Sequence, residues 1–105
     1  MSNSGLSIGI LSIPMISTRQ VKAARALLAW SQDTLAQRSG VSYPTIARLE
    51  AEDGPLGGRS DTAAKIVTAL EAAGVIFVAA GEEQPGGPGV RLRHDGAADT
   101  IATNE

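Results

Sequence analysis

Arg48 has the most to offer chemically in this 105-residue chain, within the run Tyr43-Pro44-Thr45-Ile46-Ala47-Arg48. A guanidinium can donate to guanine O6 and N7 together, which is worth about 1–3 kcal/mol of discrimination between bases. The same group serves as well on a phosphate, so both roles stay open for Arg48. Pro44 and Ala47 offer only apolar contact, for instance to a thymine methyl. Tyr43 can stack, hydrogen-bond a phosphate or shield the turn, and Thr45 adds a hydroxyl. Catalysis finds no comparable set of residues. The sequence offers no paired carboxylates in a plausible cleft, places no nucleophile beside a base, and has no glycine loop ahead of a lysine. The Gly/Pro run at 86–89 is a turn signal rather than a nucleotide site. With no cysteine, disulfides and thiolate metal sites are excluded, and the single His94 has no evident partners. Neither metal nor cofactor is expected.

The elements that must position these residues are written in the spacing around them. Gln32 to Glu50 reads as two short helices joined at Gly40. Leu35, Ala36, Val41, Ile46 and Leu49 take the inward positions, which leaves Tyr43, Pro44, Ala47 and Arg48 pointing away. Ser31 caps the first of these helices and Asp33 complements its dipole. Gly40 ends it in a left-handed conformation. Ser42 caps the second, and Pro44 falls in the first turn, where its missing N–H costs little. Upstream, Ser17-Thr18-Arg19-Gln20 matches a capping box, and Val21, Ala24 and Leu28 recur on one face. Ile16 with Val21, Trp30 with Leu35, and Val41 with Ile46 are placed as hydrophobic staples. Trp30 is therefore read as a core anchor. Downstream, 51–59 is a Gly/Pro loop, and Ser60 or Asp61 caps a fourth helix with Ala63, Ile66, Val67 and Leu70 on its buried face. Gly74 closes it. A short helix held across another by a glycine turn is a helix-turn-helix, whose second helix enters the DNA major groove.

The residues resemble the Xre-like, phage-repressor type of transcriptional regulator. The resemblance rests on Ser31-Gln32, Leu35-Ala36, Gly40-Val41-Ser42 and Thr45-Ile46, followed by Arg48-Leu49-Glu50, and with flanking helices it extends over 17–74. It implies a bacterial, cytoplasmic protein that binds double-stranded DNA. It also implies that Gln32 and Ser42 meet the DNA backbone, with Arg59 in a region where relatives carry basic phosphate contacts. Arg38 and Lys22 are weaker phosphate candidates, each more often a solvated charge. Relatives pair the residues matching Arg25 and Glu50 as an ion pair that ties helix 1 to the end of helix 3. Pro44 departs from relatives that carry a polar, adenine-reading side chain at this place.

The expected fold is mainly α: a four-helix, repressor-like helix-turn-helix domain over 15–74, with a C-terminal two-stranded β-hairpin over 75–93. Val75-Ile76-Phe77-Val78 and Val90-Arg91-Leu92-Arg93 supply the strands. An isolated hairpin is marginal, so it must lie on the helices or pair with a second subunit. Phe77, Val78 and Leu92 are the candidate dimer contacts. Residues 1–14 read as an apolar leader, disordered or a short strand, with Met15 as an alternative start, and 94–105 as a disordered tail. The leader is too short to span a bilayer.

Net charge is −2, but 18–50 holds five basic residues against two acidic ones, a local balance of +3. Such a face can bind phosphates despite an acidic total. Two functions fit: a homodimeric, sequence-specific DNA-binding regulator, or a protein–protein module such as an antitoxin or an RNA polymerase adaptor.

Overall fold

Three serines begin three helices by the same local chemistry. The hydroxyl of Ser17 accepts from the Gln20 backbone N–H at 3.1 Å, and Gln20 Oε1 accepts from the Ser17 N–H at 2.9 Å. This capping box starts α1, Thr18–Leu28. Ser31 Oγ accepts from the Thr34 N–H at 3.0 Å and starts α2, Gln32–Ser39. Ser42 Oγ accepts from the Thr45 N–H at 3.3 Å and starts α3, Tyr43–Glu50, with Pro44 in its first turn. Between α2 and α3, Gly40 takes φ +79°, the left-handed conformation that the turn requires. A computed structural model describes residues 16–93. The leader, Met15, His94 and the tail lie outside the described residues.

The fourth helix, α4, spans Ser60–Ala72 and corrects one expectation. Neither Ser60 nor Asp61 is its cap. Arg59 holds the extended cap conformation and makes no side-chain capping bond. Asp61 falls inside the first turn, where its charge complements the helix dipole. Its carboxylate accepts from Arg59 Nε at 3.3 Å.

The core gathers one or two residues from each helix. Val21 and Ala24 of α1, Leu35 of α2, Ile46 and Leu49 of α3, and Ile66 and Leu70 of α4 are buried together with Ile16, Val41 and Val75. Packing α2 against both α3 and α4 places Leu35 at the centre, with no exposed surface. Trp30 is partly buried against this core, as a staple residue should be.

Strands β1, Val75–Val78, and β2, Gly89–Leu92, form the two-stranded antiparallel sheet. The register pairs Val75 with Leu92, Ile76 with Arg91, Phe77 with Val90 and Val78 with Gly89. The second strand thus starts one residue before the expected Val90, because Gly89 pairs with the end of β1. Side chains alternate across a strand. Val75, Phe77, Val90 and Leu92 accordingly pack on the helical core. Ile76, Val78 and Arg91 take the other face. Gln20 fastens the sheet to α1, its Nε2 donating to Val78 O at 3.2 Å and Gly89 O at 3.0 Å.

A second fastening joins the segment before α1 to the loop after α3. Thr18 N–H donates to Gly54 O at 2.9 Å and Leu56 N–H to Ile16 O at 2.8 Å. The Thr18 hydroxyl donates to Glu52 O at 2.8 Å. Further along this loop, Gly58 has φ +82°, and a Cβ there would stand 3.2 Å from Leu49 Cδ2. Only glycine lets the loop close over Leu49 without displacing it.

Candidate nucleic-acid interface

The outward face of α3 is set by its inward one. Ile46, Leu49 and Glu50 are buried, so the 3.6-residue period turns Pro44 and Arg48 to solvent. Ser42, Tyr43, Pro44 and Arg48 are exposed, and Thr45 and Ala47 are half-buried. The structure therefore brings Tyr43, Pro44, Ala47 and Arg48 onto one surface. Thr45 stands at its edge, its hydroxyl oxygen accepting from the Ser42 hydroxyl at 2.9 Å.

A buried ionic cluster fixes the angle of α3. Arg25 Nε donates to Glu50 Oε2 at 2.8 Å and Nη2 donates to Oε1 at 2.6 Å, a two-pronged contact from α1 to the end of α3. Glu50 is 4 % exposed and Arg25 18 %, so water screens the pair little. Arg25 Nη1 also donates to Trp30 O at 3.0 Å. Burial pushes the Glu50 carboxyl up. Hydrogen bonds from Arg25 and Gln32, with the charges of Arg25 and Lys22, outweigh that and hold it below the ordinary glutamate value.

Gln32 belongs to this cluster in a way the sequence did not reveal. Its Nε2 donates to Glu50 Oε1 at 2.9 Å, joining α2 to α3. One amide N–H is thereby committed inside the protein, and the second has no partner among the described residues. Arg38 lies over the Trp30 ring, 4.9 Å from its centroid. Arg59 is exposed and, among the described residues, paired only with exposed Asp61.

Ion pairing redistributes the basic charge counted along 18–50. Asp53 takes Arg19 at 2.8 Å and Lys22 at 3.8 Å. Its carboxyl is held below its ordinary value by the hydrogen bond and charge of Arg19. Counting along the chain puts Asp53 in the later acidic region, although folding returns it to the basic one. Arg48 has no acidic partner among the described residues. It is an exposed cation on the outward face of a helix whose angle is fixed from behind.

Residues 21–71 match the family described as helix-turn-helix. Over this segment the chain is similar to the Xre-like helix-turn-helix family. The matched span runs from the first core residue of α1 to the last turn of α4, so it covers the helical unit and stops before the hairpin. The helix-turn-helix of this family is a DNA-binding domain, and α2 and α3 are its two helices. No curated protein matches the chain. Among the described residues, no helix is long and apolar enough to cross a membrane.

Proposed function

We propose that the chain is a sequence-specific, double-stranded DNA-binding transcriptional regulator that reads the major groove with α3. One observation carries the reading: Arg48 stands exposed, with no acidic partner among the described residues, on the outward face of α3 beside Tyr43, Pro44 and Ala47. In this reading Arg48 donates to guanine O6 and N7, Tyr43 and Thr45 flank it, and the shorter side chains touch the base edges. The second N–H of Gln32, and the Ser42 hydroxyl once it turns from Thr45 Oγ1, meet phosphates on either side of the turn. Arg38 and Arg59 extend that contact, Arg59 by exchanging exposed Asp61 for a phosphate.

The regulator acts as a homodimer on a two-fold related site, with recognition helices spaced by about one helical turn. Phe77 and Leu92 pack on the chain's own core, so the dimer contact is carried by Val78 with its neighbour Ile76 on the outer face of the hairpin.

The test is a binding isotherm on duplexes selected from a random pool, at two salt concentrations, for wild type and Arg48→Ala. A two-fold site should be enriched, and the substitution should relax preference at one base pair, costing about 1–3 kcal/mol there. Uniform weakening with a shallower salt dependence would place Arg48 on a phosphate instead. Failure to enrich any duplex at low salt would overturn the DNA reading and favour a protein partner.

A further inference from the structure

The end of α3 that leads into the groove is short of hydrogen-bond donors. Pro44 has no N–H to give. The Thr45 N–H is spent on Ser42 Oγ at 3.3 Å, and the Ile46 N–H on Ser42 O at 3.1 Å. The Ser42 hydroxyl donates to Thr45 Oγ1 at 2.9 Å. From Pro44 to Ile46 no backbone donor is thus left over, and the Thr45 hydroxyl keeps its hydrogen at the half-buried edge. Outward, the tip offers the exposed Pro44 ring and the half-buried Ala47 methyl, with Arg48 alongside. Pro44 and Arg48 are four residues apart, hence on one stripe of the helix, and Ala47 adjoins both.

A base pair shows one apolar group in the major groove, the C5-methyl of thymine. A short apolar seat beside a guanidinium suits that methyl next to a guanine. Resting on the DNA reading above, we infer that α3 recognises a thymine methyl, seated on Pro44 and Ala47, at the base pair adjoining the guanine that Arg48 takes. Discrimination at that pair comes from methyl burial and not from hydrogen bonds. Both side chains are short, so the helix backbone approaches the base edges closely at Pro44, while the longer Arg48 reaches from further back.

The test replaces that thymine by 2′-deoxyuridine in the selected duplex, which keeps the pairing and removes only the methyl. The base pair to alter is the neighbour of the one where Arg48→Ala relaxes preference. The wild-type chain should bind the uracil duplex about four-fold more weakly, the factor that burying one methyl-sized group gives, with an unchanged salt dependence. Pro44→Ser, verified as folded by far-UV circular dichroism, should narrow that difference, because Ala47 alone is left to seat the methyl. Equal binding by wild type, or a selected site with no thymine beside the Arg48-sensitive pair, would overturn the methyl inference and leave DNA binding standing. If no duplex is enriched at all, both readings fall together.

Discussion

Arg25 holds three parts of the molecule through one side chain and one carbonyl. Its guanidinium takes both oxygens of Glu50 and the carbonyl of Trp30, while its own carbonyl accepts from the Trp30 N–H at 2.9 Å. Arg25→Ala should therefore cost about 3–5 kcal/mol of unfolding free energy, because it strands the Glu50 carboxylate in the interior. Urea unfolding at neutral pH measures this. The pH dependence adds a second check. In the wild type the Glu50 carboxyl titrates below its unfolded value, so its contribution is complete above the ordinary glutamate range and is lost as pH falls through the lowered value. In Arg25→Ala the main opposing influence is gone and burial pushes the carboxyl up. The penalty of the substitution should then shrink as pH falls, first through the variant's raised value, where the stranded carboxylate takes up a proton, and on to the lowered wild-type one. A penalty that stays constant into acid would mean that Glu50 is not the source of the loss. Neither partner is legible from local spacing, since 25 positions separate them, and only the family resemblance points to the pair. The same resemblance assigns Gln32 to DNA, and its bond to Glu50 leaves no trace in the sequence, because an amide has no periodicity.

At the scale of the elements, the ends of the helices divide into those that obey local rules and those that do not. The serine caps are legible because each acts on a backbone group three residues ahead. Gly40 is legible because its conformation suits glycine. The end of α1 is not legible: Ala29 adopts φ +59°, the one non-glycine residue with positive φ among those described. Alanine carries a Cβ that disfavours this region, so no residue-type signal marks the turn. The next residue imposes the conformation, since Trp30 is fixed to Arg25 through both its N–H and its carbonyl. Ala29→Gly should therefore stabilise the fold, by about 1 kcal/mol, seen as a rise of about 4–8 °C in melting temperature. A lower melting temperature would mean that the unfolded chain's gain in freedom outweighs the relief of strain. The cap of α4 departs from expectation for the converse reason. Ser60 and Asp61 are both good cap formers, and Arg59 gives no cue that it will take the position.

For the molecule as a whole, the four helices and the hairpin are legible from changes in hydrophobic period. Which face of the hairpin packs is not, because Val-Ile-Phe-Val is apolar at every position. Only the register with β2 shows that Phe77 turns inward and Ile76 outward. The candidate DNA face is legible as the outward side of α3, whereas the removal of Arg19 and Lys22 from its free charge requires the folded position of Asp53. If the outer face of the hairpin carries the dimer, sedimentation of the full chain at micromolar concentration without DNA should give a dimer. Ile76→Glu should then give a monomer with unchanged helical circular dichroism. A monomeric wild type would remove this face from the dimer reading.

The fastening between 16–18 and 52–56 completes a closed circuit around the helix-turn-helix. With Glu50 held by Arg25 and the adjoining loop held by Thr18, α3 has its angle and its exit set before any ligand arrives. Its configurational entropy is surrendered during folding and not again on encounter. The heat-capacity change on association with a duplex would then be governed by the surface the two molecules bury between them, without the added contribution of a segment that folds as it binds.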